Sequence, residues 1–123
     1  MSRILMALVI VIMMSSANAA VYHFFNGEKL AEAALEWEKS QASPKDADLL
    51  LVAGYAGYVG AMFDHLSVGQ HICTPDEMTK NEVLKVVADH VKTKNRGLKY
   101  SASTIIEEAL VESYTCKRWI DPK

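Results

Sequence analysis

Between Leu49 and Phe63 no residue carries a charge, and apolar side chains fall on every face of the helix this stretch would form. A helix that is apolar all round has no side to give to water, so it must be covered. The pattern predicts a central helix surrounded by protein. The uncharged run is shorter than the roughly 20 apolar residues of a bilayer span, so protein rather than lipid is the expected cover. Within it, Gly54, Gly57 and Gly60 recur every third residue, and the pairs Ala53/Gly57 and Ala56/Gly60 stand four apart. Small residues at that spacing leave a groove that another backbone can approach. Each glycine costs about 1 kcal/mol relative to alanine in a helix interior, so close packing must offset it. The expectation is packing within the chain, with a second subunit as the other possible occupant. Tyr55 and Tyr58 are read as core or dimer contacts. A nucleotide fingerprint is excluded here: there is no G-x-G, no strand precedes the glycines, and they lie in mid-helix.

The flanking segments are amphipathic. Asn26 can cap a helix whose apolar positions Leu30, Ala33, Ala34 and Trp37 are helically spaced, with Glu28, Glu32, Glu36 and Lys39 opposite. Gln41 to Ser43 interrupts it. Ser43-Pro44-Lys45-Asp46 then reads as the start of the central helix, with a capping serine, a first-turn proline and an acid. Thr79-Lys80-Asn81-Glu82 is a capping box that opens a third helix, with Val83, Val86, Val87, His90 and Val91 on one stripe. Lys92 to Lys99 is a polar, basic loop in which Gly97 can terminate that helix. A fourth helix is expected from about Ala102 to Tyr114, with Ala102, Ile105, Ile106, Ala109 and Leu110 inward and Glu107, Glu108 and Glu112 outward. No segment of any length has strand period. The fold class is all-α, a small bundle of about four main helices.

Residues 1–19 have a different character. Arg3 gives a positive start, Ile4 to Met14 an uncharged apolar run, and Ala17-Asn18-Ala19 a cleavage pattern, which together read as a secretory signal peptide. Residues 20–123 are then one domain of about a hundred residues, enough for a modest core that a covalent staple would help. Two cysteines survive cleavage, Cys73 and Cys116, and an even count in an exported chain is normally an oxidised pair. A bond between them would tie the start of the third helix to the end of the fourth, as in an antiparallel helical hairpin. It would stabilise the fold by roughly 4 kcal/mol in the chain-entropy account. The alternative, a catalytic thiol, would be exposed to capture by the second cysteine.

A formal net charge of −2 and a pI near 6.1 exclude an electrostatic nucleic-acid binder. None of the four histidines sits in a metal motif. His65 and His71, with Asp64 and Cys73 near them, fit no ligand spacing. His90 reads as a hydrogen-bonded core or interface histidine, and His23 beside Phe24 and Phe25 as packing. With no G-x-S-x-G, no phosphate loop and no H-E-x-x-H, the chain reads as a binder, not an enzyme, and no cofactor or metal is expected.

The order Asn26-Gly27 with Leu30, Gly57-Tyr58-Val59 leading to Asp64, Cys73-x-Pro75, Val86-Val87, Ala102, Ala109-Leu110 and Cys116 resembles the Rap/Tai family of type VI secretion immunity proteins. The resemblance runs over nearly the whole mature chain. Three positions depart from it: Ala34 and Asn95, where relatives commonly carry a cysteine and a proline, and Thr115, where they have a proline before the last cysteine.

The resemblance implies a periplasmic, non-enzymatic antitoxin that binds a peptidoglycan amidase effector and blocks its active site. It also implies a helical homodimer whose loops enter the toxin's cleft. Two loops are candidates for that insertion. Lys92 to Lys99 presents Lys94, Asn95, Arg96, Gly97 and Lys99, and the turn from Ser67 to Ile72 presents His71; the first is preferred. No membrane partner is expected for the mature form. The alternative reading is an acid-activated periplasmic chaperone, also small, helical and held by one disulfide, which 15 acidic side chains could loosen when protonated.

Overall fold

The computed structural model describes residues 25–93 and 99–116. Among them are four α-helices and one short 3-10 turn, with no strand; the expected signal peptide lies outside the described residues.

Helix α1 spans Gly27–Ala42. Asn26 caps it as expected, its side-chain oxygen accepting from the Lys29 N–H at 2.9 Å. Glu28 in the first turn and Lys39 in the last complement the helix dipole. Leu30, Ala33, Ala34 and Trp37 are buried, which is the face the spacing predicts.

The start of the central helix differs from expectation. Pro44–Asp46 forms only a single 3-10 turn, and the Ser43 side chain makes no capping bond. Helix α2, Leu49–Val68, is capped instead by Asp48, whose carboxylate accepts from the N–H groups of Leu50 and Leu51 at 3.0 and 3.3 Å. A tertiary contact fixes this register: the Asp48 N–H donates to Glu36 Oε2 on α1 at 2.7 Å, so the turn is pinned to α1 before α2 begins.

Helix α2 is also not enclosed. Its fully buried side chains are one stripe, Tyr55, Val59 and Leu66, while Leu49, Leu50 and Val68 are 64%, 83% and 86% exposed. Its neighbours α1, α3 and α4 gather on that stripe and leave the opposite face bare among the described residues. It runs past Phe63 through Asp64 and His65, so by length and composition it is long and apolar enough to cross a membrane, which the uncharged run alone was not.

The capping box of helix α3, Lys80–Thr93, forms as read: the Thr79 N–H donates to Glu82 Oε2 at 2.6 Å and the Glu82 N–H to Thr79 Oγ1 at 3.3 Å. Helix α4, Ala102–Ser113, starts at Ser101, whose hydroxyl accepts from the Thr104 N–H. Val83, Leu84, Val87, Ala88 and Val91 of α3 meet Ala102, Ile105, Ile106, Ala109 and Leu110 of α4 in the core with Leu30, Tyr55 and Val59. The starts of α1 and α4 are stitched together by backbone. Gly27 N–H donates to Tyr100 O and Ala102 N–H to Phe25 O, both at 2.9 Å, around an isolated bridge between Asn26 and Ser101.

Cys73 and Cys116 are bonded, with their Cα atoms 4.9 Å apart. The Cys73 N–H donates to Tyr114 O at 2.8 Å, so the staple joins a place where the backbones already meet.

Candidate functional site

No free cysteine exists, so a thiol nucleophile is not available in this fold. What the domain offers is surface.

One unpartnered surface among the described residues is the outer face of α2. Leu50, Gly54, Gly57, Ala61, Asp64 and Val68 are all exposed and follow one another at steps of four and three residues. That alternation is the seam by which two helices pack along their lengths. Apart from the helix's own nearby backbone, nothing among the described residues lies within 4 Å of where a Cβ at Gly54, Gly57 or Gly60 would stand. Among the described residues nothing fills the groove that these glycines were expected to offer to a neighbouring backbone. An apolar run shows that a helix face is unsuited to water, and it does not show which chain will cover it. Tyr58 lies off this seam, its ring 5.1 Å from that of Phe25, and Tyr55 is core, 5.8 Å from Trp37.

His71 closes α2. Gln70 N–H donates to Ser67 O and His71 N–H to Leu66 O, at 3.1 and 2.9 Å, with Gln70 in the left-handed conformation at φ 57°. This is a Schellman termination. Glycine occupies the preceding position for a different reason: a Cβ on Gly69 would stand 2.6 Å from His71 Cδ2, so the imidazole lies against bare backbone. His71 itself is exposed.

Of the preferred loop, Lys94, Asn95, Arg96 and Gly97 lie outside the described residues. Its two ends are placed. Lys92 pairs with Glu38 of α1, and Lys99 is exposed beside Tyr100, whose carbonyl receives the first N–H of α1. The 14 residues of α3, about 21 Å of helix, separate this loop in the chain from the one bearing His71. The two candidates have separate anchors, and the structure does not gather them into one cluster. At the base of the loop a groove of about 270 Å³ runs between α1 and α3, lined by Ala31, Ala34, Leu35, Ala88 and Val91, with the Glu38–Lys92 pair at its rim.

One constellation was not foreseen from sequence. His90 on α3 is 8% exposed, and its ring faces two carboxylates of α4: Nε2 lies 3.6 Å from Glu108 Oε2 and Nδ1 3.7 Å from Glu112 Oε2. The four-residue spacing of the glutamates puts them on one helix face, but the partner comes from another helix, and no local motif announces it.

Among the described residues the domain is an all-α module stapled by one disulfide, with one apolar helix face left bare. The profile of the Rap1a immunity proteins matches residues 26–116, nearly all of the described domain, and the chain belongs to that family. Among curated proteins none matches this sequence. Membership makes it an immunity protein with a partner toxin, from a family generally non-enzymatic and typically extracytoplasmic, a setting the disulfide fits.

Proposed function

We propose that this chain is a periplasmic, non-enzymatic immunity protein that occludes the active site of a peptidoglycan amidase delivered by a type VI secretion system. Family membership over residues 26–116 carries this reading. The signal sequence at residues 1–19, cleaved after Ala19, and the oxidised Cys73–Cys116 pair are consistent with an exported domain comprising residues 20–123.

The toxin-facing element is the Lys92 to Lys99 loop, with Lys94 and Arg96 steering the encounter and Asn95, Gly97 and Lys99 as further contact residues; His71 is the second candidate. The active unit is a homodimer built on the outer seam of α2. Small residues at Gly54, Gly57 and Ala61 allow close approach, and Leu50 and Val68 extend the contact at either end.

A pull-down with the mature, oxidised protein from a lysate containing a type VI secretion system should recover one small amidase in near-stoichiometric amount. The double substitution Lys94→Glu with Arg96→Glu should weaken that complex at least about tenfold while leaving helicity unchanged. Unchanged affinity removes the loop from the mechanism. Capture of many unrelated proteins at acid pH alone replaces immunity with the chaperone reading.

A further inference from the structure

We propose that His90, Glu108 and Glu112 form a divalent-cation site of the kind Zn²⁺ fills, clamping α3 to α4 independently of the disulfide. The three residues each offer a ligand atom, and these atoms all lie within 4.8 Å of one another. His90 is more than nine-tenths buried, and its Nε2 has no hydrogen-bond partner. A buried polar nitrogen left unsatisfied is costly, so a nitrogen aimed at a carboxylate without bonding it calls for something between them.

The separations say what that is. At 3.6 and 3.7 Å the ring nitrogens stand too far from the carboxylate oxygens for good hydrogen bonds. Two ligands of one tetrahedral ion, each about 2.0–2.2 Å from the metal, stand roughly 3.3–3.5 Å apart. One imidazole gives one nitrogen to an ion: Nε2 and Glu108 already stand close to that spacing, and Glu112, which faces Nδ1 and is more than half exposed, joins them by swinging its carboxylate across within the 4.8 Å that spans the three ligand atoms. Imidazole with two carboxylates is a borderline-to-hard donor set that suits Zn²⁺ rather than a soft ion. Three protein ligands on an exposed carboxylate edge leave a fourth position open to water.

The test is calorimetric titration of the purified, disulfide-bonded chain with Zn²⁺ alone. One equivalent should bind, and at a hundredfold excess over Kd the Tm should rise by at least about 5 °C. Glu108→Gln and Glu112→Gln, both on exposed side chains, should each weaken binding at least about tenfold and together abolish the Tm rise. A His65→Gln, His71→Gln control should bind as the parent does. Absence of binding by the parent overturns the proposal, as does undiminished affinity in the Glu108→Gln, Glu112→Gln double variant.

Discussion

The hydroxyl of Tyr55 donates a 2.6 Å hydrogen bond to the backbone carbonyl of Leu84, joining the buried stripe of α2 to the middle of α3. The residue is fully buried, and burial pushes its phenol well above the ordinary tyrosine range, with Glu38 and Asp89 adding to the effect. It therefore stays a donor at any pH the fold survives. Tyr55→Phe keeps the ring against Trp37 and removes only the donor, so urea unfolding should show a loss of about 1 kcal/mol. Tyr55→Ala removes the ring as well and should cost about 3–5 kcal/mol. Equal losses for the two variants would place the whole contribution in the hydrogen bond.

Gln70 occupies the left-handed position of the α2 termination, where a side chain costs roughly 1–2 kcal/mol that glycine does not incur. Glycine pays back part of that in unfolded-chain entropy. Gln70→Gly should raise stability by about 0.5–1 kcal/mol, read as an increased urea midpoint with an unchanged slope.

Glu36 and Glu82 both sit below the ordinary carboxylate range. The largest cause for Glu36 is the backbone N–H of Asp48, and for Glu82 the backbone N–H of Thr79, with the Thr79 hydroxyl adding to it. A carboxyl held low in the folded state and released to its usual value on unfolding stabilises the fold fully above the ordinary range. That contribution is lost as pH falls through the lowered folded value. Urea midpoints should therefore fall below about pH 4.5, and the Glu36→Gln, Glu82→Gln variant should show a shallower acid decline than the parent. Parallel declines would remove these two groups from the acid response.

The features that were legible in the sequence are those decided locally. Asn26 and the Thr79–Glu82 box cap their helices because the chemistry lies within four residues, and the inner faces of α1 and α4 follow from helical period alone; that of α3 is turned from the expected stripe, burying Leu84 and Ala88 and leaving Val86 half-buried, because α1, α2 and α4 all pack against it. Asp48 displaced Ser43 as a cap because Glu36, twelve positions earlier, takes its N–H. The His90 constellation depends on how α3 lies over α4. Much of the family pattern is framework: Leu30, Val59, Val87, Ala102, Ala109 and Leu110 are core, Cys73 and Cys116 the staple, and Asn26 a cap, whereas Gly57, Asp64 and Pro75 are exposed.

The same distinction gives the glycines of α2 a test with two signs. If Gly57 were packed within the chain, alanine there would clash and destabilise it. Among the described residues the space is open, and alanine is the better helix former by about 1 kcal/mol. Gly57→Ala should therefore stabilise the isolated domain at concentrations where it is monomeric. In the proposed dimer Gly57 stands at the closest approach of two seams, and a larger side chain must push them apart. Gly57→Leu should leave the circular dichroism of the folded domain intact and shift sedimentation from dimer to monomer. A variant that unfolds would return the glycine to an intrachain role, whereas one that folds and still dimerises at parental concentration would move the interface off α2.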